Sequence, residues 1–123
     1  MKTFIGALVT LALLAGLVVG NTVYIQNKAD ALLAAGGALP EEAGGEGFDD
    51  AFREIGDIWD GCRDVICLSV SHAEAEMIDE ALTELLSRQR AGDGAGYVSA
   101  RAKLLDEIRE LKRTESFSIE GIL

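Results

Sequence analysis

The chain has 123 residues, 49% of them hydrophobic, with 21 acidic against 11 basic side chains and a net charge of −10. Such a charge argues against nucleic acid as a partner, and the length allows one modest domain. Lys2 is the only charged residue before Gln26, so every acid lies in the later part, which is one unit more negative than the whole.

Thr3 to Ile25 is an uncharged apolar run. As a helix it reaches about 35 Å, against about 30 Å of bilayer hydrocarbon. Phe4, Ile5, Leu8, Val9, Leu11, Leu13, Leu14, Leu17, Val18 and Val19 each favour insertion by roughly 0.3 to 0.6 kcal/mol at mid-membrane. Residues 1–25 are therefore expected to be a cytoplasmic tip and a transmembrane signal anchor, with Tyr24 as an interfacial ring. Lys2 on one side and the acidic remainder on the other predict a cytoplasmic N-terminus and an extracytoplasmic C-terminal domain at the cell membrane. A cleaved secretory signal is the rival reading. Its apolar region is usually shorter, and neither Val18-Val19-Gly20 nor Ala29-Asp30-Ala31 makes a good cleavage site at the right place.

Residues 26–47 read as a stalk and a Gly-rich acidic linker. Tyr24 to Leu33 continues the first helix, with Ile25, Ala29 and Leu32 on one face. From Ala34 onward come Gly36, Gly37, Pro40, Gly44, Gly45 and Gly47, which predict a break by about Ala38. Fully flexible, this segment would span about 20 Å and let the domain swivel or fold back on its stalk. Like charge is expected to hold the domain off an anionic surface.

Residues 48–123 are expected to form the extracytoplasmic helical bundle. A second helix begins near Phe48, with Asp49 and Asp50 at the positive end of its dipole. Phe48, Phe52, Ile55, Trp59, Cys62 and Ile66 alternate steps of four and three, which defines a core or partner face. Val65, Ile66, Cys67, Leu68 and Val70 predict a nearly all-buried turn. Ser71-His72-Ala73-Glu74 fits a capping box for a third helix, whose apolar side is Met77, Ile78, Ala81, Leu82, Leu85 and Leu86.

After a polar break from Arg90 to Gly96, Asp93 is expected to cap a fourth helix. Its predicted buried stripe is Val98, Ala102, Leu105, Ile108 and Leu111, with Lys112 and Arg113 at the negative end of the dipole. The tail from Glu115 ends in Phe117, Ile119, Ile122 and Leu123 and is expected to pack back on the bundle. The fold class is all-α: an N-terminal transmembrane helix with a stalk, then about three antiparallel helices, with the stalk available as a fourth wall.

Tyr24-Ile25, Trp59, Ser71-His72-Ala73-Glu74 leading to Ile78-Asp79, and the closing Phe117-Ser118-Ile119-Glu120-Gly121-Ile122-Leu123 resemble an uncharacterised bacterial family of small single-pass membrane proteins, the domain of unknown function four-three-six-three. The resemblance covers nearly the whole chain and implies the same architecture, a membrane-protein partner and no known catalytic residues. Family members carry a further Trp on the second helix and a charged stalk, where this chain has Cys62, Cys67 and the Gly-rich segment.

Chemical sites are sparse. Residues five apart in an unbroken helix lie too far apart for a disulfide, so Cys62 and Cys67 read first as small apolar residues. A bridge across a helix break, or to another molecule, stays open. His72 and Glu76 have the i, i+4 spacing of a metal pair with Asp79 and Glu80 nearby, although helix-start polarity accounts for them more simply. A Cys67–His72 nucleophile pair lacks any companion oxyanion site. Gly92, Gly94 and Gly96 are not followed by Lys-Ser/Thr and read as loop glycines. Ala12, Gly16 and Gly20 place small side chains on one face of the span, where another transmembrane helix could approach.

These readings lead to a non-enzymatic interaction or accessory protein without cofactor, partnered by a membrane protein or by a second copy through its span. The alternative is a ligand- or divalent-metal-binding sensor using His72, Glu76 and Asp79.

Overall fold

The computed structural model describes the backbone of residues 1–69 and 72–122 and the side chains of 1–68 and 72–113. Four helices follow one another: α1 (Lys2–Gly37), α2 (Phe48–Ser69), α3 (His72–Ala91) and α4 (Gly94–Ile122). The described residues form no strand.

Helix α1 is continuous but lives in two environments. Residues 1–20 are exposed throughout, and the helix is long and apolar enough to cross a membrane. Burial starts abruptly at Thr22 and continues through Ile25, Ala29, Leu32, Ala35 and Gly36. Two hydroxyls of the apolar run, on Thr10 and Thr22, donate to the carbonyls of Gly6 and Val18, each at 2.9 Å. This i−4 bonding lets a hydroxyl sit in apolar surroundings without an unmet donor.

The remaining walls close a ring. α1 packs against α2 and α4, and α3 packs against the same two helices. The stalk is thus one side of the bundle core, which joins Ile25, Ala29 and Leu32 to Ile55, Trp59, Cys62, Ile78, Leu85, Leu104 and Ile108. Gly36 lies where α1 and α4 meet: a Cβ there would come 2.5 Å from Leu105 Cδ2, the end of a side chain that would have to move.

The Gly-rich segment is held rather than loose. Leu39 is buried, Tyr97 donates its hydroxyl to the Pro40 carbonyl at 2.6 Å, and Gly44 N–H donates to Gln89 Oε1 at 3.1 Å. Phe48 stacks on Phe52 with centroids 5.4 Å apart and meets the Tyr97 ring edge-on at 5.9 Å. A free swivel about residues 38–47 would break the Tyr97–Pro40, Gly44–Gln89 and Phe48–Tyr97 contacts.

The break between α3 and α4 is only Gly92 and Asp93 wide. Gly92, at φ +68°, donates its N–H to Gln89 O, and Asp93 N–H reaches Arg88 O, the Schellman closure of a helix. Asp93 then caps the next helix as expected, its Oδ1 accepting from Gly96 N–H at 2.9 Å while Arg88 holds Oδ2 at 3.0 Å.

Several expected faces shift. In α4 the inward stripe is Tyr97, Ala100, Leu104, Ile108 and Leu111, with Leu105 beside it; Val98 is 51% exposed and Ala102 also faces out. Tyr97 outcompetes its neighbour because its ring packs on Phe48 and its hydroxyl finds Pro40. In α3, Met77 is 48% exposed and Ala75 takes the inward position. Leu82 and Leu86 only flank the core.

The α2 terminus is not a buried turn either: the helix runs to Ser69, with Ile66 buried and Leu68 86% exposed. α4 runs on to Ile122, so Lys112 and Arg113 are not at its negative end; they pair with Asp30 and Glu110 instead. The Ser71 half of the capping box, Val70, and the packing of Phe117, Ile119, Ile122 and Leu123 lie outside the described residues.

Candidate functional site

The polar feature with the most cross-helix bonding is built between α2 and α3. Trp59 on α2 is 2% exposed and donates its indole N–H to Asp79 Oδ1 on α3 at 2.7 Å. One turn further along α2, Arg63 donates Nε–H to Asp79 Oδ2 at 2.8 Å and brings Nη2 within 2.7 Å of the same oxygen. The Arg63 bond, helped by Trp59, holds the Asp79 carboxyl below its ordinary pKa against the opposing effect of partial burial. A carboxylate so engaged joins two helices and anchors the one tryptophan of the chain.

That geometry changes the meaning of Asp79 as a candidate ligand. Both its oxygens already accept charge-assisted or indole hydrogen bonds, while His72 and Glu76 are solvent-exposed. Among the described residues, no group of three His, Cys, Asp or Glu side chains is placed to hold a metal ion. Sequence spacing put His72, Glu76 and Asp79 on successive turns; the structure does not bring them together as a ligand set.

The cysteines stay apart as well. Both are free thiols on the unbroken α2, Cys62 buried and Cys67 half-buried against the core. Burial pushes the Cys62 thiol pKa up, with only a partial counter-effect from the Lys28 charge, so it carries little thiolate at neutral pH.

Phe48, Ile55 and Trp59 are core residues, and Phe52 is half-buried beside them, so this face is turned inward. The surface depressions are open. One follows α3 along Asp79, Glu80, Thr83, Glu84 and Arg88, and another lies among Gly44, Glu46, Asp49, Asp50 and Gln89.

Among the described residues, most of the exposed large apolar side chains belong to α1. Leu8, Val9, Leu11, Leu13, Leu14 and Leu17 are all exposed, and added Cβ atoms on Gly16 and Gly20 would meet nothing within 4 Å. Ala12, Gly16 and Gly20 therefore lie on a stretch of helix that no other described side chain covers. Tyr24, expected as a lipid anchor, is instead half-buried against the core, with Lys28 Nζ 5.6 Å from its ring centroid. Comparison with protein families, with curated proteins and with solved structures returns no match.

Proposed function

We propose that this protein is a non-enzymatic, single-pass membrane protein whose N-terminus is cytoplasmic and whose helical bundle stands outside the cytoplasm as an interaction or accessory module. The observation that carries the reading is α1 itself: one unbroken helix, apolar and uncovered up to Gly20, then a wall of the core from Thr22 onward. In water that exposed half would be a large apolar surface without a partner; in a bilayer it is at rest. Anchor and payload are thus one rigid element.

The part left for lipid, residues 3–21, measures about 28 Å, close to the hydrocarbon thickness of about 30 Å. Lys2 on one side and the acidic bundle on the other favour the stated orientation. An alternating direction of neighbouring helices is supported by opposite registers, because Asp30 pairs with Lys112 while Gly36, later in α1, meets Leu105, earlier in α4. Ala12, Gly16 and Gly20 offer a close-packing face to a membrane-protein partner or to a second copy. The resemblance to the bacterial family of small single-pass proteins agrees with this architecture.

The test is purification of the full chain from membranes in mild detergent after in-membrane crosslinking, with a protease-accessible tag at the C-terminus. The reading expects a reproducible neighbour or a dimer, weakened by Gly16→Leu, and a tag cleaved only from outside intact cells. Recovery of the full chain from the cytosol, or only monomer without neighbours, would overturn it.

A further inference from the structure

We propose that the α2–α3 end of the bundle rests in the bilayer interface, with the Leu68 side chain inserted among the lipid chains as a second membrane contact. The inference rests on the membrane-anchor reading above and adds how the bundle sits on the membrane.

Its height is set by α1, which has no break between the uncovered run and the core. Burial begins at Thr22, immediately beyond the residues left for lipid, so no spacer separates the bundle from the interface. The position of Leu68 along that axis follows from the other end. Phe48 opens α2 against Tyr97, and Tyr97 is tied to Pro40, so α2 begins beside the distal end of α1. From Phe48 to Leu68 the helix advances about 30 Å, or about 28 Å along α1 if the two cross at about 20°. The same distance measured back from Gly37 reaches the neighbourhood of Leu17 to Val19.

Leu68 therefore stands level with Val18 and Val19, which are themselves uncovered. A single exposed leucine is ordinary on a protein surface. This one differs in being 86% exposed at the depth where the chain's lipid-facing residues begin, two positions after the buried Ile66. The charges nearby limit the insertion to a shallow one. Asp64 lies one turn above Leu68 on α2, Arg63 and Lys28 lie higher still, and on α3 His72 starts the helix while Glu76 faces solvent a turn further out. Arginine and lysine stems at that height can lie along apolar surface with their charges among the headgroups. The span and Leu68 together orient the bundle, so the acidic distal end around Glu41, Glu42, Glu46, Asp49 and Asp50 points away from the membrane.

The experiment places the photoreactive p-benzoylphenylalanine singly at Leu11, Leu68, Met77 or Val98 of the full chain in phosphatidylcholine vesicles and counts lipid adducts by mass spectrometry. All four sites are exposed, so the probe does not disturb the core. Adducts at Leu11 and Leu68, several-fold above those at Met77 and Val98, are the expected result. Adducts at Leu11 with Leu68 no higher than Val98 overturn the second contact and leave the anchor standing. Equal yields at Leu68 and Met77, both above Val98, mean a bundle lying on its side and also overturn it. No adducts at Leu11 remove the anchor and the inference together.

Discussion

Trp59 on α2 gives its indole proton to Asp79 on α3 across 2.7 Å, and Arg63 occupies the other oxygen of the same carboxylate. One side chain thereby satisfies a buried donor, neutralises a cation and registers two helices.

Asp79→Ala should leave the buried Trp59 donor without a partner and lower stability by about 1–3 kcal/mol, read from denaturant midpoints followed by Trp59 fluorescence. Asp79→Asn keeps an acceptor for the indole and should cost less. Because the folded-state pKa of Asp79 is depressed, its contribution is fully present above the unfolded carboxylate value of about 3.9 and disappears as pH falls through the lower folded value. The stability gap between the native chain and Asp79→Asn should accordingly shrink only in strong acid. A gap constant down to pH 2 would contradict the assigned pairing.

Gly36→Leu should overpack the α1–α4 contact, because its Cβ alone displaces Leu105 Cδ2 and the rest of the side chain needs further room. A loss of about 1–3 kcal/mol is expected, as for overpacking in general. Leu105→Ala in the same chain should recover part of that loss, and a double-mutant cycle in detergent measures the coupling. Additive effects would place the stalk elsewhere than in the α4 contact.

Tyr97→Phe keeps the ring on Phe48 and removes only the bond to the Pro40 carbonyl. Global stability should fall by about 0.5–1.5 kcal/mol. The segment 38–47 should open more often, which a glutamate-specific protease reports as faster cleavage after Glu41, Glu42 and Glu46. An unchanged cleavage rate would show that the hydroxyl does not hold the loop.

Maleimide labelling should separate the two cysteines. Cys67, half-buried near the α2 terminus, is expected to react in the folded protein, whereas Cys62, fully buried with its thiol pKa pushed up, should react at the pace of unfolding. Mass spectrometry of partially labelled protein assigns each site. Equal folded-state rates would mean that Cys62 is not in the core.

What the residues determined alone is what local periodicity and punctuation encode. The apolar run before Gln26 specifies a helix of membrane length. Steps of four and three from Phe48 to Ile66 specify which side of α2 turns inward, and the polar stretch from Arg90 to Gly96, with Asp93 as cap, specifies that one helix stops there and the next starts. Each of these signals acts within a turn or two of itself, so no neighbour is needed to read it.

Only the tertiary structure decided which of two adjacent apolar residues wins, what the stalk is for, and what Asp79 does. Tyr97 prevails over Val98 because Phe48 and Pro40, distant in sequence, receive it. The stalk becomes a wall because Gly36 fits Leu105, and Asp79 becomes a clasp because Trp59 and Arg63 arrive from another helix. Such choices are settled by contacts between elements, whose energies do not appear in the period of any one of them.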